Sequence, residues 1–300
     1  MSLIQTLTKS FKKNKKPAPK KNQEKTPVSQ GSAKIKNIIA VASGKGGVGK
    51  STTAVCLARS LAHFGFSVGL LDADIYGPSL ATMTQVEQPS KMLEQKIIPP
   101  QKHGIKVISS SMFSSTNKAQ ILRGPMAGKF VTQFINNVYW GELDFLILDY
   151  PPGTGDIQLS ISQQVQITGA VIVTTPQQLA LQDAKKAIFM FDTLQVPIVG
   201  IIETMSFFVC DGCDKKHYIF SEHGGTKLSQ EYGFPLLGQI PLDKQITQDS
   251  DTGLMFDPLE NNTLRTYQSQ LEIAQKITQL LPLIKKSKQQ ELGPFTLQWQ

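Results

Sequence analysis

The chain has 300 residues, of which 40% are hydrophobic and 18% charged, and its formal net charge is +8. That length gives ample core for one large α/β domain, while three cysteines exclude a disulfide scaffold and point to a reducing compartment. The charge is concentrated: residues 1–36 hold ten lysines against one acid, Glu24, a balance of +9, so taking +9 from +8 leaves −1 elsewhere. The remainder therefore offers no basic stripe for nucleic acid.

Lysines in 12–36 are interleaved with Pro17, Pro19 and Pro27, a composition too poor in apolar surface to order itself. Residues 1–36 are read as a disordered lysine-rich tail. At its start Leu3, Ile4, Leu7 and Phe11 fall on one face of a short helix flanked by lysines. This segment is either a solvated leader or, at most, a weak contact with an anionic membrane or partner. No apolar core of signal-peptide length follows Met1, and no stretch reaches the roughly 18 apolar residues of a membrane span. The expected location is cytoplasmic.

Beyond the tail, apolar runs alternate with helical patterns, the signature of an α/β fold whose mostly parallel central sheet carries helices on both faces. Strands are predicted at 38–42, 67–72, 106–109, 145–149, 170–174, 198–203 and 236–239. Helices are predicted at 51–64, 125–138, 157–165, 179–194, 226–232 and 262–281. The stretch 86–103 is irregular and reads as a loop. One domain is expected over 37–282, with an extension of unknown role, 283–300, after it. In such a sheet, ligands gather where loops leave the carboxyl ends of strands.

The first such loop, Ser43-Gly44-Lys45-Gly46-Gly47-Val48-Gly49-Lys50-Ser51, satisfies the phosphate-loop pattern G-x-x-x-x-G-K-[ST] between a strand and a helix. Its glycines let backbone N–H groups crowd around phosphate oxygens, and the helix N-terminus adds the positive end of its dipole. Lys50 is expected to bridge the terminal phosphates and the Ser51 hydroxyl to hold Mg²⁺. Lys45, which ordinary phosphate loops lack, sits where the loop turns outward and is expected to reach a neighbour's phosphates across a homodimer.

The second strand ends Leu71-Asp72-Ala73-Asp74, two acids one residue apart. Asp72 is assigned to the Mg²⁺ side, and Asp74 to orienting or activating the attacking water. The other reading of these acids is a turn or helix cap. A later apolar strand closes on Asp149, a buried acid that needs a cation or hydrogen bonds to offset its burial, and it too is assigned to Mg²⁺. Pro151-Pro152-Gly153-Thr154-Gly155-Asp156 follows, in which Gly153 brings a backbone N–H towards the γ-phosphate and the loop acts as a switch. Together these motifs predict ATP hydrolysis.

Cys210-Asp211-Gly212-Cys213 is a C-x-x-C in a loop, with His217 just beyond. The spacing lets two sulfurs share a metal. Open readings are ordinary loop thiols or a labile disulfide, a zinc site with His217 as third ligand, and an Fe–S cluster completed by a second chain. Cys56 reads as a small core residue, and His63, His103 and His223 as surface or packing residues.

Taken together, the motifs resemble those of the Mrp/ApbC (Nbp-like) family of iron–sulfur cluster carrier ATPases, among the deviant Walker-A proteins related to MinD and ParA. The resemblance covers about residues 37–258. It rests on the phosphate loop, the 72–79 and 149–156 segments, Arg123-Gly124-Pro125-Met126, Met205-Ser206-Phe207-Phe208-Val209-Cys210 with Cys213, and Gly238-Gln239-Ile240-Pro241-Leu242-Asp243. It implies a MinD/ParA-like P-loop fold and a homodimer whose Cys210 and Cys213 pairs bridge a 4Fe–4S cluster. It further implies ATP with Mg²⁺, a cluster assembly scaffold as donor and apo iron–sulfur proteins as recipients. Thr52, Thr204 and Pro241 are carried over to the nucleotide site. Two departures stand out: only the lysine-rich tail precedes the ATPase, where relatives often carry a small domain, and Thr204 replaces an asparagine, so ATP is expected over GTP with less discrimination. The alternatives are a spatial-positioning ATPase anchored by its leader and an ATPase with a structural zinc at the C-x-x-C.

Overall fold

The structure, a computed structural model, describes residues 34–75, 77–86, 92–93, 96–113, 124–253 and 265–291. In chain order its strands are β1 (Ile38–Ala42), β2 (Val68–Asp72), β3 (Met92–Leu93), β4 (Lys96–Ile97), β5 (Gln101–Lys102), β6 (Ile105–Ile108), β7 (Phe145–Asp149), β8 (Gly169–Thr174), β9 (Ile198–Glu203), β10 (Phe208–Val209), β11 (Lys216–His217) and β12 (Leu236–Gln239). The α-helices are α1 (Lys50–His63), α2 (Leu80–Thr84), α3 (Gly124–Asn137), α4 (Asp156–Gln164), α5 (Gln178–Thr193), α6 (Gly224–Tyr232), α7 (Lys244–Thr252) and α8 (Arg265–Glu291).

Eight strands form one sheet in the order β12-β9-β8-β1-β7-β2-β6-β5, parallel throughout except for β5 against β6. Every position of β2, β7, β8 and β9 is buried, as strands covered on both faces must be. The period of two divides the core. Ile39 and Val41 join Leu57 and Leu61 of α1 and Ile273 and Ile277 of α8 on one face. Ala40 and Ala42 join Val131 and Phe134 of α3 and Ala184 and Phe191 of α5 on the other.

This arrangement places the site. β1 lies between β7 and β8, so connections diverge to either side of it and open a crevice at its carboxyl end. The register sets Val41 beside Asp149 and Asp72 beside Asp149, bringing the two strand-ending acids next to each other at that crevice.

Several elements differ from expectation, among them the short helix α2 and the β10–β11 hairpin, which were not predicted. The 86–103 stretch is not wholly a loop: β3 and β4 pair as an antiparallel hairpin and β5 adds an edge to β6, pairs too short to show an alternating pattern. Helix α7 was not expected, because its nine residues bury only Asp249 and carry no apolar stripe. Helix α8 continues through Pro282 to Glu291. A proline costs the helix one N–H donor, but Ile284, two residues nearer the C-terminus, still packs into the core with Leu280 and Leu281. At the other end, residues 1–33 of the expected tail lie outside the described residues, and Ile35, near its close, bridges Leu143 in parallel fashion.

Candidate functional site

The phosphate loop joins β1 to α1 and is held in shape by its glycines. Gly47 and Gly49 have φ of 78° and 79°, a left-handed conformation that a side chain resists. Gly44 lies so close to α5 that an added Cβ would stand 2.1 Å from the Asp183 carbonyl carbon and oxygen. Val48 is buried beneath the loop, while Gly46 and Gly47 are exposed on its outer turn and Lys45 is half-buried. The Ser43 hydroxyl donates to the Lys45 carbonyl at 2.8 Å. Ser51 and Thr52, both half-buried, stand in the first turn of α1, whose N–H groups have no intrahelical acceptor and suit an anion.

Beneath the loop, Lys50 and Asp149 form a buried ion pair, and the Lys50 ammonium also donates to the Ser51 hydroxyl at 3.2 Å. Burial pushes the Asp149 carboxyl up, opposed by the charge and hydrogen bond of Lys50. Its Oδ1 accepts from Lys50, but the buried Oδ2 has no hydrogen-bond partner. An orphaned carboxylate oxygen here fits a cation, as does the adjacent Ser51 hydroxyl.

Asp72 is differently placed. Its Oδ1 accepts from the Asp74 N–H (3.1 Å), and its Oδ2 from the Ser79 N–H (3.1 Å), the Leu80 N–H (3.3 Å) and the Ser109 hydroxyl (3.0 Å). Burial first, then the Asp149 charge, push its carboxyl up to about 7, against the Leu80 and Ser109 hydrogen bonds and the Lys50 charge. Asp74 is half-buried just past the strand end, where its Oδ1 accepts from the Gly77 N–H at 3.1 Å. Tyr76 and Arg123 lie outside the described residues.

The 149–156 loop is tied to the phosphate loop. Gly153 has φ of 97° and its N–H donates to the Ser43 carbonyl at 3.0 Å, so reaching a phosphate means exchanging that acceptor. Gln158 of α4 clamps the loop through its amide, which donates to the Pro152 and Pro151 carbonyls.

Thr204 reaches the same loop from β9. Its hydroxyl lies 2.6 Å from the Val48 carbonyl and 3.1 Å from that of Thr174, and its N–H donates to Thr174 at 2.8 Å. Its side chain thus holds the phosphate loop from behind. Pro241 is buried in the segment after β12. That segment lies along the chain leading to the cysteines, with the Ser206 N–H donating to the Ile240 carbonyl (3.0 Å) and the Leu242 N–H to that of Phe207 (2.7 Å).

One buried acid here has no counterpart among the expected site residues. Glu203 is fully buried and accepts from the Ser206 hydroxyl (2.6 Å), the Gln239 amide (2.8 Å) and the Gly225 N–H. It joins the end of β9 to the start of α6. An acid closing an apolar strand is the same signal that singled out Asp149, and it marks Glu203 equally well.

Six residues past Thr204, the cysteines cap a small hairpin in which Phe208 pairs with His217 and Val209 with Lys216. Cys210 is half-buried and Cys213 and His217 are exposed, with one ligand atom of each within 4.8 Å of the others. The backbone N–H groups of Gly212 and Cys213, then the Cys213 thiol, donate to the Cys210 sulfur and hold its pKa below the ordinary thiol value. Cys56 is the opposite case: full burial pushes its thiol up to about 12, as suits a core residue.

A profile of the ParA family, described as NUBPL iron-transfer P-loop NTPase, matches residues 34–278. The chain belongs to that family. Its relatives include the iron-sulfur cluster carrier protein of Escherichia coli, 49% identical over 221 residues that cover 73% of this chain and 60% of that one. The iron-sulfur cluster carrier protein of Pseudomonas fragi is 45% identical over 79% of this chain and 82% of its own. An Arabidopsis thaliana mitochondrial iron-sulfur protein required for NADH dehydrogenase is 46% identical over 73% and 71%. Against the Escherichia coli and Aquifex aeolicus carriers, this chain spans only 60% and 61% of the relative's length.

Solved structures agree. A nucleotide-binding protein of Archaeoglobus fulgidus, in complex with ADP, matches at 35% identity with a TM-score of 0.66, covering 78% of this chain and 94% of that one. The cell division ATPase MinD of Pyrococcus furiosus matches at a TM-score of 0.61 and 19% identity, over 82% and 99%, a likeness of fold. This NTPase family thus carries the expected MinD/ParA-like sheet, and no described helix is long and apolar enough to cross a membrane.

Proposed function

We propose that the chain is an ATP-hydrolysing iron–sulfur cluster carrier that works in the cytoplasm as a homodimer. It takes a 4Fe–4S cluster from an assembly scaffold and passes it to apoproteins. The names of the relatives support this reading, and so does the chemistry of the two centres. The observation that carries it is their linkage: Thr204, bonded to the phosphate loop at Val48, lies six residues from Cys210 on one continuous segment. A change of the loop on nucleotide binding is passed along that segment to the thiols.

At the nucleotide, Gly44, Gly46, Gly47 and Gly49 let N–H groups approach the phosphates, and Thr52 closes the first turn of α1 beneath them. Lys50 leaves Asp149 for the terminal phosphate, freeing a carboxylate oxygen beside the orphaned Oδ2. Ser51 and Asp149 would hold the Mg²⁺ that accompanies ATP, which supplies charge neutralisation on the phosphoryl oxygens. Asp72, its oxygens already taken up by four donors, acts indirectly by fixing the strand end. Asp74 orients the attacking water, Gly153 exchanges the Ser43 carbonyl for the γ-phosphate, and Lys45 reaches across the dimer. Pro241 packs beside the base. Two subunits together bring four thiolates to one cluster, the number that such a cluster needs.

Anaerobic reconstitution with iron and sulfide tests the proposal. The expected product is a brown dimer holding one cluster per two chains, lost in Cys213→Ser and released to an apoprotein in an ATP-dependent manner. A colourless wild-type protein, or colour unchanged by Cys213→Ser, overturns it.

A further inference from the structure

The cysteine hairpin brings a third donor to the two sulfurs within a single subunit. The turn is closed by the Cys210 N–H to the Lys215 carbonyl (3.0 Å) and the Asp214 N–H to the Cys210 carbonyl (2.9 Å), which sends the chain straight back past the thiols. Alternation along β11 then puts Lys216 and His217 on opposite faces. Lys216 is taken up elsewhere, its ammonium 4.3 Å from the centroid of the Phe207 ring. His217 is left to join Cys210 and Cys213, with the three ligand atoms within 4.8 Å of one another.

Those separations suit one metal ion. Around a tetrahedral Zn²⁺, with Zn–S near 2.3 Å and Zn–N near 2.0–2.1 Å, ligand atoms stand roughly 3.5 Å apart, so small rotations of exposed side chains close the site. Two sulfurs and an imidazole nitrogen are a donor set that such an ion accepts. Of the charges nearby, Asp211 stands 3.8 Å from Lys244, and His223 3.9 Å from Glu222.

The geometry points to a second occupant of this loop: a single thiophilic divalent ion of the Zn²⁺ class, held by Cys210, Cys213 and His217 of one subunit with the fourth position open. The site needs no second chain. It also competes with a shared cluster, because both draw on the same sulfurs; an ion held this way keeps the thiols of a lone subunit occupied. The inference rests on hairpin geometry, and it stands apart from the cluster-carrier reading.

Co²⁺, whose thiolate charge-transfer and d–d bands report tetrahedral sulfur coordination, is the probe. It is titrated anaerobically into the reduced, nucleotide-free full chain at concentrations where native mass spectrometry shows monomers. The expected result is one Co²⁺ per chain, displaced by Zn²⁺, with the affinity of His217→Ala lower by about tenfold or more, since even outer-shell partners of a metal are worth 10–100-fold. Cys213→Ser abolishes the bands and serves as the control. Unchanged Co²⁺ affinity in His217→Ala, or one ion per two chains with a dimer mass, overturns the inference. Iron and sulfide reconstitution of His217→Ala separates the two ideas: a cluster on thiols alone forms in that variant, and its absence from wild type counts against the carrier reading only.

Discussion

Replacing Asp72 with asparagine should stabilise the nucleotide-free, metal-free protein in mild alkali and not in mild acid. The Asp72 carboxyl is pushed up to about 7 by burial and by Asp149, from an ordinary 3.8. Because the folded-state value lies above the unfolded one, the folded protein keeps a proton that the unfolded chain releases. Stability therefore falls as pH rises from about 4 to about 7 and levels off beyond. Worked through, this shift between the folded and unfolded states costs about 2 kcal/mol near pH 5 and about 4 kcal/mol near pH 8. Asparagine removes that cost, but its amide faces the Asp74 N–H, which now donates to Oδ1 from 3.1 Å. Losing that acceptor costs about 1–3 kcal/mol. The net is a gain of about 1–3 kcal/mol near pH 8 and about zero near pH 5. Urea denaturation of Asp72→Asn and wild type in EDTA, near both pH values, reads the difference as a midpoint shift at constant slope. An equal shift at both pH values would refute the reasoning, since only an ionising Asp72 makes the effect depend on pH.

Other outcomes follow from the same contacts. Thr204→Val leaves the buried Val48 carbonyl without the hydroxyl 2.6 Å away; a loss of about 1–3 kcal/mol is expected by thermal unfolding, with weaker ADP binding by calorimetry. Lys50→Ala should abolish ATP turnover by removing the ammonium that leaves Asp149 for the terminal phosphate, while Lys45→Ala should retain nucleotide binding yet lose turnover. Hydrolysis by Lys45→Ala at the parental rate would exclude the cross-subunit role. Brief iodoacetamide treatment near pH 7 should label Cys210, whose thiol pKa is lowered, and spare the buried Cys56; peptide mass spectrometry reads the sites.

Much of the architecture could be read from residue order because its strands are buried on both faces. Ile38–Ala42 and Phe145–Asp149 stand as expected, each an uninterrupted apolar run bounded by polar residues. The phosphate loop was equally plain, since its glycines answer to backbone geometry that few other residues meet. Helix α7 was not, for its signals are only the Asp243 cap, which accepts the Gln245 N–H at 2.9 Å, and Gly253 beyond its end. The role of Thr204 was hidden for another reason. Its bond to Val48 spans 156 positions, and no local pattern announces a side chain that reaches a loop so far back in the chain. His217 fell between: its nearness in sequence suggested a third ligand, but only the pairing of β10 with β11 brings it round to the sulfurs.

The contacts made by Lys34–Asn37 give the molecule a front and a back. Lys36 pairs with Asp144 at 2.7 Å, the Asn37 amide donates to the Asp144 carbonyl at 2.8 Å, and Asp144 is pulled down to about 2, first by Lys36 and then by Ser67. All of this lies at the amino-terminal rim of the sheet. The phosphate loop lies beyond the far end of β1, a span of about 17 Å at roughly 3.3 Å per residue. A molecule moored by whatever precedes Lys34 would thus turn its stern to the mooring and hold ATP and thiols outward, clear to meet a visiting protein.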